Sequence, residues 1–182
     1  VIATKDFPAE EFLMFATAQG NVKKTSMDQY DRTRRDGLIA INLKDGDELI
    51  SVKRVAKGEK VIMVSSAGKA ILWDESEARA MGRGTMGVRG MNVPADAHVL
   101  GMEIAKPGTD LFVITEKGYG KRTKIEEYPE HHRGGQGVYT ITMTHKKGLL
   151  SVMKIVGPDD EIMIVSEDGV IVRTPVKGIS EL

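Results

Sequence analysis

The residues best placed to do chemistry are cations, and they come in groups. Lys23, Lys24, Arg32, Arg34 and Arg35 fall between Gly20 and Gly37. Lys69, Arg79, Arg83 and Arg89 lie within residues 68–89, and Lys121, Arg122, Lys124 and Arg133 lie between Gly118 and Gly137. Arg173 holds a similar place after Gly169. The first three groups together hold thirteen bases against nine acids, and the rest of the chain holds thirteen against seventeen. The whole is neutral, with 26 Lys+Arg and 26 Asp+Glu. Affinity for a polyanion must therefore come from a local patch, because net charge supplies none. Cations repeated at fixed intervals suit a nucleic-acid backbone, whose phosphates they neutralise without reading bases. The competing reading is a set of solvated outer strands, on which lysine and arginine are common; the regular spacing favours the phosphate track.

Other motifs carry less. Gly82-Arg83-Gly84-Thr85-Met86-Gly87 has the G-x-G-x-x-G spacing, but no helical pattern follows it and the chain is not βαβ, so a dinucleotide site is rejected. This segment and Arg133-Gly134-Gly135-Gln136-Gly137 read as turns whose amides and arginine can also meet phosphate. His131 and His132 are adjacent, diverge in extended chain and have no third ligand at metal spacing. Asp45-Gly46-Asp47-Glu48 lacks the later ligands of a calcium loop and reads as a hairpin turn. Asp159-Asp160-Glu161 reads as a solvated linker, and Tyr30, Tyr128 and Tyr139 as packing residues. Cysteine is absent, which excludes disulfides, cysteine zinc sites and cysteine nucleophiles. There is no G-x-S-x-G, P-loop or H-E-x-x-H. No catalytic, cofactor or metal site is expected.

The elements that position these cations form a repeat. A short apolar run ending in a turn glycine occurs four times, closing at Gly20, Gly68, Gly118 and Gly169. A second glycine follows at Gly37, Gly87 and Gly137, spaced by 50 residues, and a second apolar run resumes at Leu49, Val99 and Leu149. Three anchors in phase predict units over about 4–55, 56–104, 105–155 and an incomplete 156–182. Each unit reads as four strands. The first is the apolar run itself, buried on both faces. The second follows the glycine, at 22–25, 70–73, 121–123 and 171–174. The third alternates through Ile41 and Leu43, Met91 and Val93, or Ile141 and Met143, and turns into a fourth at 49–52, 99–102 and 149–152. Val1, Ile2 and Ala3 read as the last strand of a preceding unit. The fold class is therefore all-β, a propeller-like array of four-stranded blades. At 182 residues, 41% apolar and 29% charged, the chain has a globular composition. Its apolar runs of four or five residues fall far short of the ~20 that span a bilayer. No secretory leader is visible, and a chain opening on Val1 reads as cut from something larger.

Several stretches resemble the C-terminal domain of the bacterial DNA gyrase A family. They are Gly-Asn-Val-Lys-Lys-Thr (20–25), Asp-Gly-Asp-Glu-Leu-Ile (45–50), Arg-Ala-Met-Gly (79–82), Gly-Val-Arg-Gly (87–90), Gly-Tyr-Gly-Lys-Arg-Thr (118–123), Glu127-Tyr128-Pro129 and Val172-Arg173-Thr174. The resemblance runs in order over the whole chain, with the topoisomerase IV relative second. It implies a β-pinwheel of about six blades, of which this chain would cover roughly the third to fifth, with duplex DNA wrapped on a basic rim in support of ATP-dependent negative supercoiling. The cleavage tyrosine, the ATPase and the ATP and Mg2+ they use would lie in other domains. Partners would be double-stranded DNA and the rest of the gyrase A protein with the gyrase B protein in a heterotetramer, in the bacterial cytoplasm near the nucleoid; the fragment itself would be monomeric. The family's Gln-Arg-Arg-Gly-Gly-Lys-Gly box is kept at four of seven positions by residues 131–137, which read as the repeat's equivalent loop, the box itself being expected upstream. The alternatives are a propeller-like scaffold for protein partners and the equivalent domain of topoisomerase IV. A propeller hydrolase ranks last, since no acids recur on the apolar strands.

Overall fold

The coordinates are a computed structural model that describes residues 1–31 and 34–182. Arg32 lies outside the described residues. The first unit supplies Phe12–Thr17 (β1), Asn21–Ser26 (β2) and Leu49–Val55 (β3). The second supplies Lys60–Ser65 (β4), Lys69–Asp74 (β5), Val88–Arg89 (β6) and Val99–Ala105 (β7). The third supplies Asp110–Thr115 (β8), Gly120–Lys124 (β9), Val138–Tyr139 (β10) and Leu150–Val156 (β11). Glu161–Val165 (β12) and Ile171–Pro175 (β13) form a final hairpin. All named strands pair antiparallel, in sheets ordered β3-β1-β2-β6, β10-β5-β4-β7, β11-β8-β9 and β12-β13. The long strands β3, β7 and β11 pack against one another, so β6 and β10 form the outer edges.

The sheets pack face to face, and β4 shows why its sequence is continuously apolar. Val61 and Met63 enter a core shared with Met14, Ala16 and Val22 of the first sheet. Ile62 and Val64, on the opposite face, enter a second core with Leu111 and Val113 of the third. A strand between two cores has no face for a polar residue. Fully burying each such side chain contributes about 1.5–3 kcal/mol, so the blades are held chiefly by what lies between them.

The third strand differs from expectation. Residues 41–44, 91–94 and 142–144 form no strand. The strand is only two residues long, begins immediately after the second glycine, and pairs with the preceding unit: Val22 opposes Val88, and Ala70 opposes Val138. It forms no hairpin with the fourth strand, and the first two sheets are each completed by a strand of the following unit. Val1, Ile2 and Ala3 also lie in no strand.

The paired glycines make this exchange possible. The Gly20 carbonyl accepts from the amides of Gly90 and Met91, at 2.8 and 3.1 Å, as Gly68 does from Thr140 at 2.9 Å. Gly87 and Gly137 have φ of +87° and +75°, and a Cβ there would stand 2.1 Å from the carbonyl oxygen of Val22 or Ala70. Only glycine meets both the left-handed backbone and the close approach.

Candidate nucleic-acid interface

The predicted cations divide into buried, anchored and exposed sets. Lys23 and Lys24 are corrections to the sequence reading, because both are buried. Lys23 is 0% exposed; its Nζ donates to the carbonyl oxygens of Ala40 and Arg83, the latter at 2.6 Å, with the Tyr30 hydroxyl at 3.5 Å. The ammonium also lies 4.7 Å from the centre of the Phe15 ring. Burial, helped by the Arg83 charge, lowers its pKa to about 8. Lys24 forms a 2.6 Å ion pair with Glu75 of the second unit, with both side chains buried. Glu75 completes the junction by accepting from the Gly58 amide at 3.1 Å. As they stand, neither lysine can reach a phosphate. The repeat carries a signal of this: Ile71 and Leu72, both buried, occupy the equivalent places in β5.

Arg122 is the third correction. Its Nη1 pairs with Asp110 at 2.6 Å and Glu181 at 2.9 Å, and its Nε donates to the Ile179 carbonyl. The guanidinium ties the last residues to β9 and is mostly enclosed. Lys121, next to it, is half-buried, and burial together with the nearby Lys147 charge lowers its pKa.

Arg83 and Arg133 are anchored, in the same way. Arg83 Nη1 donates to the Ile39 carbonyl at 3.1 Å, and Arg133 Nη1 donates to the Arg89 carbonyl at 2.9 Å. Ile39 and Arg89 are both two residues past a second glycine, so each guanidinium fastens its own glycine-rich loop to the outer edge of the unit before. The loops are knit further by matching bonds: the Asn42 amide donates to Thr85, and the Asn92 amide to Gly135. This agrees with the reading of these segments as turns, with the arginine held at the edge.

The exposed set is Arg34, Arg35, Arg79, Arg89, Lys124 and Arg173, with Lys69 half-exposed. Lys124 pairs with Glu181 at 3.0 Å, and Arg173 with Glu161. Lys69 donates to Gln136 at 2.9 Å and lies 4.9 Å from the Tyr139 ring centre. Among the described residues no carboxylate pairs with Arg34, Arg35, Arg79 or Arg89. Arg79 and Arg133 line one recess of about 660 Å3 with Ser76, Glu77, Met81 and Val88. Glu77 sits there as a counter-charge; its hydrogen bond to His132, 2.8 Å from Nδ1, lowers the Glu77 pKa and raises that of His132. Sequence reasoning missed Glu75 and Glu77, whose partners lie 51 and 55 residues away. It also missed Tyr139, placed with the packing residues but in fact 66% exposed; Tyr128 is buried, and Tyr30 packs on Phe15 with ring centres 6.1 Å apart. No group of three or more His, Cys, Asp or Glu among the described residues is arranged to hold a metal ion.

Exposed arginines without a carboxylate partner among the described residues thus accompany an array of blades that exchange strands. The model of the DNA gyrase C-terminal domain, a beta-propeller, matches residues 11–56, 59–106, 109–146 and 160–182. The chain belongs to the DNA gyrase C-terminal domain family.

Relatives of the family agree over the full length. The chain is 38% identical to the A subunit of DNA gyrase from Salmonella typhimurium over 180 residues, 99% of this chain and 20% of that protein. It is 36% identical to the A subunit of DNA gyrase from Mycobacterium tuberculosis over 181 residues, 98% of this chain and 22% of that protein. The chain thus spans about a fifth of the length of these relatives. Among solved structures, a DNA gyrase A C-terminal domain superposes with a TM-score of 0.86 at 30% identity, covering 98% of this chain and 60% of that one. A topoisomerase IV C-terminal domain gives 0.92 at 26% identity, covering 100% and 57%. The fold is therefore the β-pinwheel of these domains. No described helix is long and apolar enough to cross a membrane.

Proposed function

We propose that the chain binds duplex DNA without reading its sequence and bends it along the outer edges of the blades. In the longer gyrase A protein this would support ATP-dependent negative supercoiling, with the rest of that protein and the gyrase B protein as partners in a heterotetramer of the bacterial cytoplasm. Cleavage and ATP hydrolysis, with ATP and Mg2+, belong to other parts of that assembly; this chain supplies none of the catalytic groups.

The single observation that carries the reading is the set of exposed guanidiniums Arg34, Arg35, Arg79 and Arg89, which pair with no carboxylate among the described residues. Arg83, Lys69, Lys121, Lys124, Arg133 and Arg173 supplement them wherever a phosphate can displace or share their present partners. Lys23, Lys24 and Arg122 act indirectly, by fixing the blades that hold the others. Each phosphate neutralised releases counterions, and a few such contacts offset the ~1–6 kcal/mol needed to bend 20–30 bp by 40–90°.

The test is fluorescence anisotropy with labelled ~40-bp duplexes of unrelated sequence. Binding to every duplex, with affinity that falls linearly in log salt, supports the reading. Absence of binding at low salt refutes it. A second reading, a scaffold for protein partners, draws on the exposed apolar side chains Met163, Val165, Val170, Ile171 and Val172 of the last hairpin; it predicts self-association or partner capture that is insensitive to salt.

A further inference from the structure

Two exposed side chains, Ile39 and Tyr139, are ones that phosphate binding does not use. Ile39, Arg89 and Tyr139 stand at the same place in successive units, each two residues past the second glycine and 50 residues apart. Within β6 and β10 the two-residue alternation turns Val88 and Val138 inward, where both pack on the cores, and Arg89 and Tyr139 outward. Ile39 is 68% exposed and Tyr139 66%. A solitary exposed apolar residue is ordinary. Here, however, large side chains are presented at one repeated position among arginines.

The local chemistry favours a nucleic-acid occupant. The backbone at Ile39 and Arg89 is held from below by Arg83 and Arg133. Tyr139 opposes Lys69 across the strand pair, and the ammonium covers one side of its ring at 4.9 Å; with the side chain two-thirds exposed, the ring keeps free surface for a flat partner. Lys69 is itself steadied by Gln136. An exposed aromatic with an ammonium beside it suits a ligand with anions at its edge and π-faces inside, which is the surface of a nucleic-acid groove. A polar protein surface would leave the exposed ring area uncompensated.

We infer that Tyr139, with Ile39 at the corresponding place in the first unit, is a groove wedge that presses its side chain against the base steps of the bent duplex. The inference rests on the DNA-binding reading above. In this role the arginines hold the backbone, while the ring partly unstacks a step and localises the bend, as apolar side chains of minor-groove binders do. The wedge touches no phosphate. It therefore confers a preference for easily unstacked pyrimidine–purine steps over stiff A-tracts, in a protein that otherwise ignores sequence.

The experiment compares the full chain with Tyr139→Ala, Tyr139→Phe and Tyr139→Trp on two duplexes of equal length, one rich in TA and CA steps and one built of A-tracts. The inference expects the parent chain to favour the flexible duplex. Tyr139→Ala then loses roughly fivefold or more in affinity for it, with its salt slope unchanged, and Tyr139→Phe retains the parent behaviour. Tyr139→Trp places an indole at the edge, quenched on binding by contact with bases, while the buried Trp73 gives a constant background. If the parent chain binds but Tyr139→Ala binds equally well, or loses affinity only through a smaller salt slope, the wedge is overturned and DNA binding stands. If the parent chain binds neither duplex, the underlying reading fails and the wedge with it.

Discussion

Lys23→Met separates a structural lysine from a phosphate-binding one, and the burial of its ammonium sets the expected size of the effect. In the unfolded chain the amine titrates near its ordinary value of 10.5, and in the fold at about 8. Between those values the unfolded state holds more protons than the native state, so this group makes stability rise with pH. At about 1.4 kcal/mol per pKa unit, the gain from pH 7 to 10.5 is at most about 3 kcal/mol. At pH 7 the substitution strands the carbonyls of Ala40 and Arg83, each costing about 1–3 kcal/mol if left without a partner, but it also removes a buried charge; the two effects oppose each other. At pH 10.5 the native amine is neutral and still bonded, so only the loss remains. The difference in stability between parent and variant should therefore widen by up to about 3 kcal/mol on going from pH 7 to 10.5. Urea denaturation at both pH values measures it, and other titrating groups cancel in the difference. In parallel, the variant should bind DNA with an unchanged salt slope. An unchanged stability difference, together with a slope reduced by about one, would place Lys23 at the DNA and refute the argument.

Other expectations concern the junctions. Glu75→Gln leaves Lys24 buried without its counter-ion and should cost about 3–5 kcal/mol, while the paired replacement Lys24→Met with Glu75→Leu should cost less, by thermal or urea unfolding. Gly137→Ala should cost more than about 2 kcal/mol, since its Cβ would meet the Ala70 carbonyl as well as a positive φ. Gly118→Ala, at φ +82° with nothing within 4 Å, should show only the ~1–2 kcal/mol of left-handed strain; equal losses at the two sites would dismiss the junction argument.

Much of the architecture is legible in the sequence because the apolar runs keep phase. The first and second strands of every unit, and the last strands of the first three, fall where runs such as Val61–Val64, the turn glycine Gly68 and Val99 predict them. The third strand is not legible, since Val88 and Val138 pair with residues of the preceding unit that lie 66 and 68 positions away. No local pattern encodes a partner at that distance. The cationic site is legible in composition and misleading in detail. Lysine is a surface residue by default, so composition marks Lys23 and Lys24 as edge cations; only alignment with Ile71 and Leu72 shows their positions to be core. Arg79 and Arg89 fare differently because, among the described residues, neither forms an ion pair, although Glu77 shares the recess of Arg79. Tyr139 resembles a packing residue because aromatics usually pack; its exposure follows from the exchange of a two-residue strand to an outer edge.

Contact between DNA phosphates and the exposed guanidiniums of Arg79 and Arg89 has a direct readout in the salt dependence of binding. Log affinity for a mixed-sequence duplex is plotted against log salt for the parent chain and for Arg79→Gln with Arg89→Gln. At about 0.9 per phosphate contact, removing both should lower the slope by about two and weaken binding to all sequences alike. Two lines of the same slope would contradict the assignment of these arginines to the DNA.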